Sequence, residues 1–267
     1  MTSAIQSIQY FEVAGVRLRV LLEGQGAPLL FLHGSGDLGS WPEALTELSK
    51  HFLVIRPDHP GYSGSSDGES INSVHDISFV YLSLLDQMKL DRVSVMGVSL
   101  GGWIAADMAA TEPSRFERLV LVDAAGLRPR GTYPDYFMLT AVELAENVYA
   151  SSAMRESMSV FMAELENDTE LFHTYLRNRA STAHLAFNPY MHDPQLLGRL
   201  HRVTAETLVV WGAQDGILPV ETSDAWLEAI PSAKRVVIED AGHLPHVEQT
   251  NQFLAVVSPM LGFRPTA

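Results

Sequence analysis

A serine lies between two glycines, at the point where the pattern of apolar residues changes, in "VSVMGVSLGGWIAA" at residues 93–106. The run before Ser99 predicts a buried strand, and the residues after it predict a helix. Gly97 and Gly101 permit a tight turn that presents the hydroxyl beside the free N–H groups of a helix N-terminus. This placement indicates a nucleophile. A second Gly-x-Ser-x-Gly match, at Ser66, lies in a polar loop and predicts an ordinary turn.

A base and an acid for this serine are found at the ends of other predicted strands. A serine hydroxyl needs a base that takes its proton, and an acid must orient that base. His243 and Asp215 each follow a predicted strand, so they lie at the same carboxyl edge of a parallel sheet as Ser99. Asp123 also ends a predicted strand and is a rival for the acid. The sequence therefore predicts a Ser99, Asp215 and His243 triad.

Acyl transfer at this serine would also need N–H donors for the oxyanion. Leu100, the residue after the nucleophile, is expected to supply one from the start of the helix. The loop "HGSGD" at 33–37 follows another predicted strand, and its small residues let the backbone approach a substrate oxygen. Ser35 is therefore the expected second donor, with Gly34 as the alternative. Just beyond the loop, Ser40 is expected to be the N-cap of a helix.

Metal or thiol chemistry is not expected. The chain has no cysteine, which excludes disulfides, a thiol nucleophile and cysteine-bound zinc. His243, His246 and Glu248 are close in sequence, but they lack the helical H-E-x-x-H order and a clear third ligand. His246 is expected in the first turn of the last helix, pointing elsewhere. We predict no metal and no cofactor.

Charge and composition restrict the partners. The formal net charge is −14, and no basic stretch offsets it, so neither nucleic acid nor an anionic membrane surface is an expected partner. No apolar stretch reaches the length that crosses a bilayer, and the first residues do not form an export signal. A cytoplasmic location is expected. The expected partner is a small-molecule substrate, and the sequence leaves a homodimer open.

The apolar pattern along the chain predicts the elements that position these residues. Two apolar runs on either side of Ala14 and Gly15 predict a hairpin. Continuous apolar runs then alternate with helical patterns, which predicts an α/β fold: a mostly parallel sheet of roughly eight strands with helices on both faces. Residues 127–203 show helical patterns alone and predict a helical cap, or lid, inserted after the sixth strand. The core domain is then expected at 1–126 and 204–267.

Several segments together resemble the α/β-hydrolase fold superfamily, in the branch that carries a helical cap. The resemblance is carried by "FLHGSGD", "RPDHPGYSGSS", "MGVSLGGW", "WGAQDGILP" and "AGHLPHVE". Each segment is weak alone, but their order and spacing cover nearly the whole chain. The resemblance implies a Ser99, Asp215 and His243 triad, an oxyanion hole formed by the N–H groups of Ser35 and Leu100, and no cofactor.

Two hypotheses for the reaction follow from this resemblance. Haloalkane dehalogenases and epoxide hydrolases carry aspartate where Ser99 stands, so neither is expected. One hypothesis is a carboxylesterase that cleaves small to medium esters with an apolar body through an acyl-enzyme. The alternative is a C–C bond hydrolase of the meta-cleavage-product type, whose members usually have asparagine and tryptophan where this chain has Val98 and Leu244. They hold a substrate carboxylate with a cap arginine, for which Arg177 and Arg179 are candidates. A non-catalytic ligand-binding protein is a remote alternative.

The cap is rich in methionine and aromatic residues, which suit an apolar, adaptable pocket. Most of them are expected to form the core of the cap, and some are expected to line the substrate pocket. The predicted lining residues are Trp103, Phe137, Met138, Met158, Met162 and Leu244.

Overall fold

The long apolar runs of the sequence form one sheet that passes through the middle of the protein. The computed structural model describes residues 7–165 and 167–263. Strands made of continuous apolar residues are buried on both faces, as all six residues of the fifth strand are. The strands are β1 (Ser7–Val13), β2 (Val16–Glu23), β3 (Ala27–Leu32), β4 (Phe52–Pro57), β5 (Val93–Val98), β6 (Phe116–Val122), β7 (Glu206–Gly212) and β8 (Lys234–Ile238).

The order of the strands places the predicted site residues at one edge. The sheet has the order β1-β2-β4-β3-β5-β6-β7-β8. β1 and β2 form the predicted antiparallel hairpin, and β2 pairs antiparallel with β4. From β4 to β8 all neighbouring strands run parallel, so their carboxyl ends meet at one edge. The predicted fold class, an eight-stranded and mostly parallel α/β sheet, is confirmed.

Helices cover both faces of the sheet. α2, α3 and α8 contribute to the apolar core on one face, and α1 and α10 contribute to the core on the other. No helix among the described residues is long and apolar enough to cross a bilayer. The helices are α1 (Glu43–Ser49), α2 (Val74–Gln87), α3 (Leu100–Thr111), α4 (Ala141–Val148), α5 (Ser152–Leu165), α6 (Thr169–Ala186), α7 (Leu196–Arg199), α8 (Thr222–Ala229), α9 (Pro245–Glu248) and α10 (Thr250–Leu261).

The segment between β6 and β7 carries helices α4 to α7 and no named strand in its described part. α6 is fastened to the core, because Asn178 donates to the carbonyl of Asp37 at 2.7 Å and accepts from the N–H of Ser63 at 3.0 Å. α5 is held differently, since Leu165 is its one buried residue. The sequence-based limits of the cap, 127 and 203, enclose these helices and stay a prediction.

Candidate active site

Ser99 occupies a strained turn between β5 and α3. Its backbone has a φ of 52°, in the left-handed region, which non-glycine residues rarely adopt. A Cβ atom at Gly97 would lie 2.1 Å from the carbonyl oxygen of Gly101, and one at Gly101 would lie 2.1 Å from that of Leu32. Both positions therefore require glycine. The turn brings Ser99, only 3% exposed, to the wall of a cavity.

His243 and Asp215 form a buried hydrogen-bonded pair at the same edge of the sheet. His243 Nδ1 lies 2.8 Å from Asp215 Oδ2. The other oxygen of Asp215 accepts the N–H groups of Ile217 at 2.8 Å and Leu218 at 2.9 Å. Three donors thus hold the carboxylate in one orientation, and the imidazole is fixed with its far nitrogen, Nε2, directed away from the acid.

Ser99 and His243 line the same cavity, which has a volume of about 310 Å³. Within the described part of the chain the Ser99 hydroxyl forms no hydrogen bond. Hydrogen bonds between nucleophile and base are often long in a site without substrate and shorten when substrate binds. The hydroxyl is therefore free to rotate towards the imidazole.

The loop 33–37 lies against the serine, as expected for an oxyanion loop. A Cβ atom at Gly34 would be 3.5 Å from that of Ser99, and Gly34 and Ser35 both line the cavity. The hydroxyl of Ser35 donates to the hydroxyl of Tyr136 at 3.3 Å. Among the described residues, no acceptor takes the backbone N–H of Ser35 or of Leu100. Leu100 itself is buried beneath the cavity wall and is not a lining residue.

A buried ion network holds this loop in place. Arg56 is fully buried and pairs with Asp37, the last residue of the loop, and with Asp58 at 2.5 Å. Burial acts to raise the pKa of Asp37, but Arg56, His33 and hydrogen bonds from Ser40 and Gly39 outweigh it and lower that pKa. The carboxylate therefore stays charged at the cavity wall.

The predicted pocket residues divide into two groups. Met158, Met162 and Leu244 line the cavity. Trp103, Phe137 and Met138 are not among the residues that line it. Trp103 packs in the core beneath Gly126, and Phe137 packs edge-on against the ring of Tyr136. Met138 is 77% exposed, because the short 3₁₀ turn Tyr136–Met138 directs Tyr136 inward instead.

The segment 127–203 also brings polar side chains to the cavity, and of these the sequence analysis had named Arg179 as a candidate. Tyr175, Asn178 and Arg179 lie one helical turn apart on α6. This spacing would have indicated them if α6 had been known to face the core. Arg179 is the notable one, because it forms no ion pair within the described residues and stacks over Tyr136 and Tyr175, with ring centroids 5.5 Å and 5.9 Å away. The polar lining residues of this segment that the sequence analysis did not name are Tyr136, Tyr149, Tyr175 and Asn178.

The two candidate cap arginines have different surroundings. Arg177 turns away from the cavity and pairs with Asp67 at 2.9 Å, while its other N–H groups bind the carbonyls of Ser63 and Ser65. Arg179 lines the cavity and donates to the carbonyl of Phe137 at 3.3 Å. Only Arg179 is therefore placed to meet a substrate anion.

The sequence analysis expected His246 to point away from the site. In the structure His246 is buried and lines the cavity. Its ring packs between Phe31 and Phe253, with centroids 6.1 Å and 5.9 Å away. Burial lowers the pKa of His246 to about 4, so the imidazole is neutral at physiological pH. Within residues 7–165 and 167–263, its Nδ1 has no hydrogen-bond partner.

Asp123, the rival acid, lies at the same place as the predicted one. Among the described residues, Asp123, Asp215 and His243 form the one cluster whose potential ligand atoms all lie close enough, within 4.8 Å of one another, to hold a metal ion. The atoms of Asp215 and His243 are already engaged in the hydrogen bonds described above. The strand ends of β6, β7 and β8 thus bring both carboxyl groups to one imidazole.

Comparison with known proteins identifies the family. The model of the alpha/beta hydrolase fold matches residues 27–250, so the chain belongs to this family and the resemblance inferred from the sequence is confirmed. The 2-hydroxy-6-oxononadienedioate/2-hydroxy-6-oxononatrienedioate hydrolase 2 of Pseudomonas putida is 31% identical over 89% of this chain and 89% of that protein. The 2-hydroxymuconate semialdehyde hydrolase of Pseudomonas sp. strain CF600 is 27% identical over 93% of this chain and 91% of that protein.

A solved structure supports the same fold. The crystal structure of the enol-lactonase from Burkholderia xenovorans LB400 has a TM-score of 0.77 to this chain at 23% identity. The alignment covers 95% of this chain and 99% of that chain.

Proposed function

We propose that the protein is a serine hydrolase that cleaves carboxylic esters through an acyl-enzyme. The observation that carries the proposal is the meeting of Ser99 and His243 at one cavity, with Asp215 bonded to the far side of the imidazole. In this mechanism His243 takes the Ser99 proton while the serine oxygen attacks the ester carbonyl carbon. The N–H groups of Ser35 and Leu100 receive the oxyanion. His243 then protonates the departing alcohol, and water releases the acid by the same steps.

The cavity supports a small or medium substrate with an apolar body. Its volume of about 310 Å³ is at the lower end of the range for ligand pockets. Side chains of Met158, Phe161 and Met162 from α5 and of Leu244 from the core make much of its wall apolar. A long acyl chain exceeds this space unless α5 moves.

A fluorophosphonate probe and a series of p-nitrophenyl esters from acetate to palmitate test the proposal. We expect the probe to label wild type at Ser99, and hydrolysis to be fastest for short and medium acyl chains. Ser99→Ala should lose both activities, because it lacks the attacking oxygen. Wild type that is neither labelled nor faster than Ser99→Ala on any ester would contradict the proposal.

A second candidate function is hydrolysis of a C–C bond in a ring-cleavage product. Arg179 favours it, because an arginine without an acidic partner at the wall of the cavity suits a substrate carboxylate. Relatives of this chain are hydrolases named for 2-hydroxy-6-oxononadienedioate and 2-hydroxymuconate semialdehyde. Val98 and Leu244 stand where that group usually has asparagine and tryptophan, and for this reason the ester is our first choice.

Arg179 and Arg177 offer a matched pair of variants for deciding between the candidates. A C–C hydrolase would consume a coloured 2-hydroxy-6-oxo-dienoate faster than any ester. Arg179→Met would then raise the KM for this dienoate by about tenfold, because one charge-assisted hydrogen bond to the substrate is lost. Arg177→Met, whose side chain faces Asp67, would leave that KM unchanged. Hydrolysis of neutral esters alone, unaffected by Arg179→Met, would exclude the second candidate.

A further inference from the structure

Asp123 is a buried carboxyl group that the proposed mechanism does not use. It ends β6 with a φ of 44° and is 0% exposed. One of its oxygens, Oδ1, accepts the N–H of Gly212 at 2.9 Å. The other, Oδ2, is buried and meets no hydrogen-bond donor among the residues that the structure describes. A buried carboxylate oxygen without a donor destabilises the fold, so this arrangement calls for an explanation.

The side chains of the predicted acid and base lie close to Asp123. One carboxylate oxygen of Asp123, one of Asp215 and one ring nitrogen of His243 all lie within 4.8 Å of one another. Two carboxylates at this separation in a buried site cannot both be ionised, because their repulsion is poorly screened there. Burial and repulsion by Asp215 raise the pKa of Asp123 well above its ordinary range.

The hydrogen bonds decide which of the two carboxyl groups is ionised. Asp215 accepts two backbone N–H groups and faces His243 Nδ1, and these three donors stabilise a negative charge. Asp123 accepts one N–H group, that of Gly212. A proton is therefore expected on Asp123. On Oδ2, the oxygen without a donor, it would let Asp123 donate a hydrogen bond to the Asp215 carboxylate.

We propose that Asp123 and Asp215 share one proton, so that Asp123 is a neutral carboxylic acid that donates a hydrogen bond to the Asp215 carboxylate. Asp123 is then a positioning residue, because it fixes the acid that orients His243. This catalytic role rests on the proposed function. The same geometry makes Asp123 a reserve acid: without the charge of Asp215, it loses its main repelling neighbour and can ionise close to the imidazole.

Infrared spectroscopy tests the proton without reference to activity. At pH 7 the exposed carboxyl groups are ionised, so a protonated buried acid adds a separate C=O stretching band that shifts in D₂O. We expect this band in wild type and its loss in Asp123→Asn, whose amide can still accept from Gly212 and adopt a positive φ. Identical spectra of the two proteins in this region would overturn the proposal.

Further variants test the positioning and reserve roles, with the rate of fluorophosphonate labelling at Ser99 as the readout. Asp123→Ala should label more slowly than wild type because it offers no donor to Asp215, and Asp123→Asn should recover much of the rate because its amide replaces the O–H donor. Equal rates for Asp123→Ala and wild type would overturn the positioning role. Asp215→Ala should label about tenfold faster than Asp215→Ala/Asp123→Asn, since only the former keeps an ionisable acid near His243. Melting temperatures of all variants show that each is folded.

The outcomes separate this inference from the proposed function. Equal rates for Asp215→Ala and the double variant would leave Asp123 a purely structural turn residue and overturn its reserve role. Wild type that does not label at Ser99 would refute the serine hydrolase, while the infrared band would still decide where the proton lies.

Discussion

The backbone N–H of His243 donates to the carbonyl of Val148 at 2.7 Å, which joins the proposed catalytic base directly to helix α4. The preceding residue of α4, Asn147, accepts the N–H of Gly216, next to Asp215, at 3.0 Å. Two adjacent cap carbonyls therefore hold the loops of both the base and the acid. If the proposed triad is correct, a displacement of α4 is expected to misalign His243.

Gly242→Ala should reduce turnover strongly through this junction. A Cβ atom at residue 242 would lie 2.3 Å from the carbonyl oxygen of Val148, so cap and base loop must separate. Misplacement of a catalytic group by about 1 Å can cost roughly 10²-fold in rate, and we expect a fall of this order in kcat with a smaller change in KM. Ester kinetics measure both constants.

Gly198→Ala is the matched control, since a Cβ atom at that residue of α7 meets nothing within 4 Å. It should leave kcat unchanged. Equal losses in the two variants would mean that the effect at residue 242 does not arise from the contact with Val148.

His246→Phe should reduce the sensitivity of the fold to acid. The pKa of His246 is lowered by burial to about 4, while an unfolded histidine has a value of 6.5. Between these values the unfolded chain binds the extra proton, so the free energy of unfolding falls as the pH drops from 6.5 towards 4. For this one group the loss amounts to about 3 kcal/mol.

Phenylalanine suits the site of His246 because Phe31 and Phe253 already surround it and Nδ1 has no partner to lose. We expect the melting temperature of His246→Phe to match or exceed that of wild type at pH 7. It should fall less between pH 7 and pH 5. His33 and His59, whose pKa values burial also lowers, keep part of the acid sensitivity in both proteins. Parallel melting curves for the two proteins would count against this account.

Asn178→Ala should loosen the oxyanion loop. Asn178 binds the carbonyl of Asp37 in that loop and the N–H of Ser63, and its removal leaves both without this partner, at a cost of about 1–3 kcal/mol. We expect kcat to fall along with the melting temperature. Ser181→Ala removes another bond from α6 to the core, to the carbonyl of Gly61 at 2.8 Å, without touching the loop. It should lower the melting temperature and leave kcat close to wild type.

The sheet and the residues at its edge were predictable because parallel strands fix where their ends lie. Ser99, Asp215 and His243 each follow a parallel strand, and this rule alone brings them to one edge. The rule places Asp123 there equally well, so the sequence left the two acids as rivals. Only the hydrogen bonds in the structure distinguish them.

The cap and the start of α1 were harder to predict because tertiary contacts decide them. Helical periodicity does not say how α6 is rotated relative to the sheet, so the sequence could not choose between Arg177 and Arg179, and it missed Tyr175. Ser40 was expected as an N-cap, but its hydroxyl donates to Asp37 at 2.7 Å, and α1 begins at Glu43 after Pro42. The hydroxyl of Ser40 therefore binds Asp37, a residue of the ion network, and does not cap α1.

The weak burial of α5 has a consequence for the evolution of this protein. α5 supplies Met158, Phe161 and Met162 to the cavity wall, although Leu165 is its one buried residue. Substitutions on this helix can therefore alter the range of accepted substrates at little cost in folding free energy. New substrate specificities are expected to arise first from substitutions on α5, while Ser99 and His243 on the opposite elements stay the same.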